Sequence, residues 1–201
     1  MGTKSHSFQI TLQYCLWDFV RELGEKTVGG EELVKTISDD GGKLAKVSSR
    51  RVANLARLYA WCVAKDVLSL LILKVSPTSP SPLSSRTDPC TTQPIPFENP
   101  KPQTTTFLTQ FFAALIISTQ SLSPALVLPA TGTRRDREAL ERVFVRAAAH
   151  GPLVKGMLAF FEHTMEDAAG TRGERERGLV LWGVKIAEET LGLGGTIIDV
   201  R

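Results

Sequence analysis

The side chains able to carry chemistry are few and scattered. His6, His150 and His163 stand far apart, with no HxxxH or HExxH spacing around any of them, so no two imidazoles share a helix face from which to hold a metal. His163 beside Glu162 reads as a surface pair. Asp18 and Glu22 are four residues apart, a spacing that can bring two carboxylates together for acid–base work, but a solvated helix face is the simpler reading. Cys15, Cys62 and Cys90 are odd in number and form no CxxC. They indicate neither a disulfide framework nor a zinc site, and a reducing intracellular compartment is the default. No serine or cysteine has a matching base in a recognisable motif, and the GxGG near the C-terminus lacks the strand and helix that a nucleotide-binding loop needs. These residues predict no enzymatic activity, no cofactor, no metal and no small-molecule substrate.

Binding chemistry is better represented. Arg50, Arg51, Arg57 and Lys65 line the polar side of one helical pattern together with Asn54, and Trp61 follows Arg57 by four residues, where guanidinium and indole can stack. Basic groups interleaved with an exposed aromatic suit single-stranded RNA, the ring stacking on bases while the charges follow phosphates. A Trp61 covered by a neighbouring helix is the favoured alternative. Arg134, Arg135, Arg137, Arg142 and Arg146 form a second basic group, diluted by Asp136, Glu138 and Glu141 and read as a solvated face. The whole chain is only mildly basic: 24 Lys and Arg against 21 Asp and Glu give +3, too little to predict nucleic-acid binding without a local patch.

The element that must position these residues is 50–75, RRVANLARLYAWCVAKDVLSLLILKV. Val52, Leu55, Ala56, Tyr59, Cys62 and Val63 fall on one amphipathic stripe. After Lys65-Asp66, the run LSLLILKV predicts a second helix beyond a tight turn. Such a pair cannot bury its apolar surface alone and predicts further helices around it. Upstream, 8–23 carries a wide apolar face of Ile10, Tyr14, Trp17, Phe19, Val20 and Leu23, with Gly24 placed to end the helix. Ser48 or Ser49 can cap the helix that follows. Downstream, 104–120 is apolar almost all round, and helices over 136–149 and 153–167 meet at Gly151-Pro152 as a helical hairpin. A flexible charged stretch, GTRGERERG, then precedes one more helix over 179–191 and a short glycine-rich tail.

Between these helices, eight of the 11 prolines lie from Pro77 to Pro102. Proline removes a backbone donor and restricts its predecessor, and a Ser/Thr/Pro mixture buries too little apolar area to offset its ordering entropy. Residues 76–103 are therefore expected to be a disordered insertion, resembling translated intron sequence. The N-terminus has no secretory layout, and the longest apolar run, 111–117, is too short to span a bilayer, so a soluble protein without membrane contact is expected.

The run LQYCLWDFVRELGE, then VANLARLYAWCVAKDVLSLLILKV, then the T-x-x-FL element of 105–108 resemble the MI domain. This is the C-terminal helical-repeat domain shared by translation initiation factor 4G, the programmed-cell-death tumour suppressor and a nucleolar ribosome-biogenesis family. The pattern N-L-A-x-L-Y-x-W-x-x-A followed by LSL-x-x-LK is most similar to the nucleolar branch, the suppressor-of-glycerol-defect family. The resemblance covers 8–75 and 103–120, more loosely to about 168. It implies an all-α domain over 8–168, a HEAT-like stack of antiparallel helix pairs interrupted by 76–103; 169–201 reads from its residues as a charged linker plus an extra helix. It further implies a non-enzymatic scaffold of the nucleolus that engages a DEAD-box RNA helicase and the pre-ribosomal particle or rRNA in 18S pre-rRNA processing. Arg50, Arg51, Asn54, Arg57, Trp61 and Lys65 are the candidate contact residues. The alternatives are a direct single-stranded RNA-binding module and a translation-regulating MI domain that binds an initiation-factor helicase. The family's upstream middle domain has no counterpart here, so the chain reads as a fragment or truncated product, and 173–201 has no place in the family pattern.

Overall fold

Phe107, Leu108, Phe111, Phe112, Leu115 and Ile116 are all completely buried, and the other helices are arranged to cover them. The computed structural model describes residues 3–25, 47–74, 95, 97, 99–121, 135–170 and 172–198, and these are mostly helical with no strand among them. In order they form α1 (Thr3–Glu22), α2 (Ser49–Ala64), a 3-10 turn (Leu70–Leu73), α3 (Pro102–Gln120), α4 (Arg137–Ala148), α5 (Gly151–Phe160), a π-helical turn (Phe161–Met165), α6 (Glu166–Gly170) and α7 (Glu174–Ile198).

α1 ends as its sequence predicts, with Gly24 in the left-handed region at φ +107°. Its C-terminal half is core, through Leu16, Trp17, Phe19, Val20 and Leu23, but Ile10 and Tyr14 remain exposed although they continue the same apolar stripe. α2 begins at Ser48, whose Oγ accepts from the Arg51 N–H at 3.3 Å. Five of the six residues of its expected stripe are buried, and Leu55 is half-buried. α1 and α2 run antiparallel: Arg51 near the start of α2 meets Glu22 near the end of α1, while Tyr59 donates its hydroxyl to the Leu12 carbonyl at 2.9 Å.

The expected second helix after α2 is corrected to a single 3-10 turn. Asp66 takes a left-handed φ of 60°, and Ser69 Oγ caps the turn by accepting from the Leu71 N–H. Leu68, Leu70, Ile72 and Leu73 are all buried. A short run with buried side chains in several directions has no amphipathic stripe to display, and a 3-10 turn spreads its side chains about 120° apart. Gln9 and Gln13 of α1 hold this segment, donating to the carbonyls of Val67 and Lys74 at 2.9 and 3.4 Å.

The expected disordered insertion is corrected at its C-terminal end. Residues 75–94, 96 and 98 lie outside the described residues, but Ile95 and Phe97 are buried, and the Ile95 N–H donates to the Leu73 carbonyl at 3.2 Å. Phe97 packs on Phe112 and Phe160 with ring centres 6.3 and 6.0 Å away. Gly156 makes room for it, since a Cβ there would lie 2.9 Å from the Phe97 ring. An apolar pair inside a proline-rich stretch found a core to enter.

α3 contains no charged residue, so its ends are satisfied from elsewhere in the chain. At the N-terminus the buried Glu25 carboxylate accepts from the Lys101 N–H at 2.6 Å, a placement the helix dipole favours. At the C-terminus the buried Gln120 clamps the Asp136 backbone, with Oε1 accepting from its N–H at 2.6 Å and Nε2 donating to its carbonyl at 3.1 Å. Asp136 in turn caps α4 by accepting from the Ala139 N–H at 3.1 Å. α2 and α3 lie parallel, joined at one end by Gln103 Nε2 on the Val47 carbonyl and at the other by Lys65 Nζ on the Ser121 carbonyl.

Met157, Phe161, Met165 and Ala169 are buried at intervals of four residues. On a regular α-helix each such step drifts about 40°. The π turn at Phe161–Met165, with its wider winding, brings the face back into register. Phe160 and Phe161 are thereby both buried and both meet the Phe112 ring, at 5.9 and 4.8 Å.

In the region 169–201, expected as a charged linker plus an extra helix, the helix is present, longer than expected and packed on the others. α7 starts at Glu174, its first turns placing Glu174, Arg175, Glu176 and Arg177 in solvent, and then buries Leu179, Val180, Val184, Ile186, Ala187 and Leu191 against α3, α4 and α5. The charges of 174–177, which read as a flexible tract, form the solvent-exposed first turn of a helix. At Gly183, α7 comes so close to α3 that an added Cβ would lie 2.4 Å from Ile116 Cγ2.

Two stability outcomes follow. Gly183→Ala is expected to lower unfolding free energy by about 1–3 kcal/mol through overpacking, whereas Gly178→Ala, with open space at its Cβ, is expected to be neutral or stabilising by up to about 1 kcal/mol; urea titrations of both variants check this. Gln120→Leu leaves the Asp136 N–H without its partner and is expected to cost about 2–3 kcal/mol, read as a lower urea midpoint at unchanged slope.

Candidate partner-binding surface

The outer side of α2 divides the expected contact residues into two sets. Arg50, Asn54 and Arg57 are exposed and share one face by their spacing of four and three residues; among the described residues neither arginine of this set makes an ion pair. Arg51 is turned the other way. Its Nη1 sits 2.6 Å from Glu22 Oε1 and its guanidinium carbon 5.6 Å from the centre of the Phe19 ring, so it ties α2 to α1. Lys65 is half-buried with its Nζ 3.3 Å from the Ser121 carbonyl, holding α2 to the end of α3. Trp61 is half-buried against the core, and its indole N–H is enclosed without a hydrogen-bond partner. It lies on the stripe of Arg50, Asn54 and Arg57 but does not stand free of the body.

At the C-terminal end of this stripe lies a cleft of about 300 Å³ between the turn after α2, the end of α3 and the side of α4. Its apolar lining includes the buried Val63, Leu68 and Leu70, and its rim carries Asp66, Arg142 and Arg146. Arg146 is paired with Asp66 by both guanidinium nitrogens, the second contact being 3.4 Å. Arg142 is exposed and makes no ion pair among the described residues, although Glu138 precedes it by one turn. Ala64 joins the cleft to the α2 stripe, lying three residues beyond Trp61. The solvated-face reading of the second basic group thus holds only in part. Arg137 is engaged with Glu141 and Glu189 at 2.6 and 3.0 Å, Arg135 lies over the Trp182 ring at 5.8 Å, and Arg134 lies outside the described residues. The spacing of Arg142 and Arg146 was visible in the sequence, but nothing there showed that the turn at Asp66 would meet them.

The other candidates for chemistry are dispersed. Asp18 pairs with Arg21 and Glu22 with Arg51, so the two carboxylates do not form a common site. Among the described residues no group of three or more His, Cys, Asp and Glu is placed to hold a metal ion, and no helix is long and apolar enough to cross a membrane. Cys15 is exposed and Cys62 buried, while Cys90 and the side chain of His6 lie outside the described residues. Burial pushes the Tyr59 phenol far above its usual range, with Cys15 and Cys62 adding to the effect, which keeps it a hydroxyl donor to Leu12. Burial and the nearby Lys74 hold the His150 imidazole below its ordinary range.

Comparison with family models, curated proteins and solved structures returned no match for this chain.

The two sets of arginines are separable by stability. Arg51→Ala is expected to cost about 0.5–1 kcal/mol, the sum of a screened ion pair and a ring contact, while Arg57→Ala leaves stability unchanged within about 0.5 kcal/mol; thermal unfolding of the two variants in parallel is the check.

Proposed function

We propose that this chain is a non-enzymatic interaction scaffold of the MI type, a HEAT-like helical stack that serves nucleolar small-subunit biogenesis by engaging a DEAD-box RNA helicase. The observation that carries the reading is the set of Arg50, Asn54 and Arg57, exposed on one face of α2, whose arginines make no ion pair among the described residues. A basic stripe not needed for stability is available to a partner, and charged rim contacts of this kind govern association rate and specificity. The likeness of 8–75 and 103–120 to the MI pattern supports the scaffold role. So does the antiparallel packing of α1 on α2.

Direct binding of single-stranded RNA is the second reading, favoured by the same arginines but weakened by Trp61. Its half-buried indole offers less ring surface for base stacking than that chemistry requires. Because Trp61 packs on the core, its truncation would confuse binding with stability, and Arg50→Glu with Arg57→Glu is the cleaner variant. The tagged full chain carrying both substitutions is expected to lose most of its co-purifying helicase and pre-ribosomal RNA while keeping its far-ultraviolet circular dichroism. Unchanged co-purification would overturn the proposal, and salt-sensitive binding of the purified chain to oligouridine that survives removal of all protein partners would favour the RNA reading.

A further inference from the structure

We infer that the cleft between the turn after α2 and α4 is the anchor pocket for an acidic peptide segment of a partner protein, one that seats a large apolar side chain in the cleft and places carboxylates on Arg142 and Arg146. The inference rests on the interaction-scaffold reading and supplies the chemistry of the partner. Three observations carry it. The cleft has room for one large side chain, at about 300 Å³, and the half-buried Ala64, Ala139 and Val143 line it above the buried Val63, Leu68 and Leu70. The rim is unbalanced toward positive charge, because Arg142 and Arg146 face a single carboxylate, Asp66, and Arg142 has no ion-pair partner among the described residues. The basic stripe of Arg50 and Arg57 leads into it along α2, with Ala64 at the junction, so an extended segment anchored in the cleft would continue over the same sign of charge.

Asp66 then has a second role. It sits on an exposed turn in the left-handed region and occupies Arg146 as an acidic residue of the partner would. Incoming carboxylate exchanges with it, which makes Asp66 an internal competitor that sets how acidic the partner must be. RNA is disfavoured at this place. The cleft lining contains no aromatic residue, and the nearest aromatic on the stripe, Trp61, is half-buried, so the bases have no free ring on which to stack.

The test is fluorescence anisotropy of the full chain with a labelled peptide in which Leu-Phe is flanked on each side by four Asp or Glu residues. Arg142→Glu is expected to weaken binding about tenfold or more, and replacing Leu-Phe by Gly-Gly in the peptide to weaken it by a comparable factor. Asp66→Asn, a residue that tolerates the left-handed backbone, is expected to tighten binding severalfold by releasing Arg146. Equal affinity of Arg142→Glu and the parent chain, or no effect of the Leu-Phe replacement, would overturn the inference. So would tighter binding of an oligouridine of equal length that is lost in Arg142→Glu, because the cleft would then serve RNA. Circular dichroism and the urea midpoint of each variant confirm that the chain remains folded. If the parent chain binds the peptide but co-purifies no helicase, the scaffold assignment alone fails, whereas if it co-purifies helicase but does not bind the peptide, the acidic segment alone fails.

Discussion

A helix of 19 residues without a single charge must be enclosed, and enclosing α3 dictates most of the fold. Its phenylalanines act as the contact points. Phe107 meets Phe19 of α1 at 5.5 Å, Phe111 meets Phe112 at 5.2 Å, and Phe112 meets Phe161 at 4.8 Å, which itself meets Phe144 of α4 at 6.2 Å. Edge-to-face contacts of this kind add about 0.5–1.5 kcal/mol each to the burial of the rings. A continuous line of aromatic contacts therefore joins α1, α3, the π turn and α4.

Enclosure creates a polar problem that the chain answers from a distance. The ends of a helix leave backbone groups without intrahelical partners, and water cannot reach those that are covered. Glu25 answers at the start of α3 and Gln120 ties its end to the cap of α4. At the side chains, Thr104 Oγ1 and the indole N–H of Trp17 are buried without a partner among the described residues. The same enclosure explains the small residues. Gly183 admits α7 to the Ile116 side of α3, and Gly156 admits Phe97.

With the apolar side of α2 committed to α3, only its opposite side is free for other work, and even that side is shared. Arg51 and Lys65 fasten the helix to its neighbours, leaving Arg50, Asn54 and Arg57 as the outward set. The partition follows from helical angle. Arg51 follows Arg50 by about 100°, far enough around the helix to reach α1 while Arg50 stays in solvent. The cleft at the end of the stripe exists because the left-handed turn at Asp66 redirects the chain away from α2 and toward α4.

Local pattern alone determined the helical class, the inward faces of α2 and α3, the serine cap of α2 and the Gly24 stop, because each depends on residues within a turn or two of one another. Properties that depend on distant neighbours were settled only by the tertiary structure. Leu70–Leu73 formed a 3-10 turn because Leu70, Ile72 and Leu73 are all drawn into the core. Ile95 and Phe97 joined the core from a proline-rich stretch because Gly156 and Phe112 leave them a place. The charged run before Leu179 became the first turns of α7 because the apolar residues after it found α3 and α4 to cover. The candidate surface divides in the same way: its basic stripe could be read from a spacing of three and four. Which arginines are consumed by the fold, and that Asp66 meets Arg146 across 80 residues of chain, could not, since both depend on how separate helices pack rather than on any local pattern.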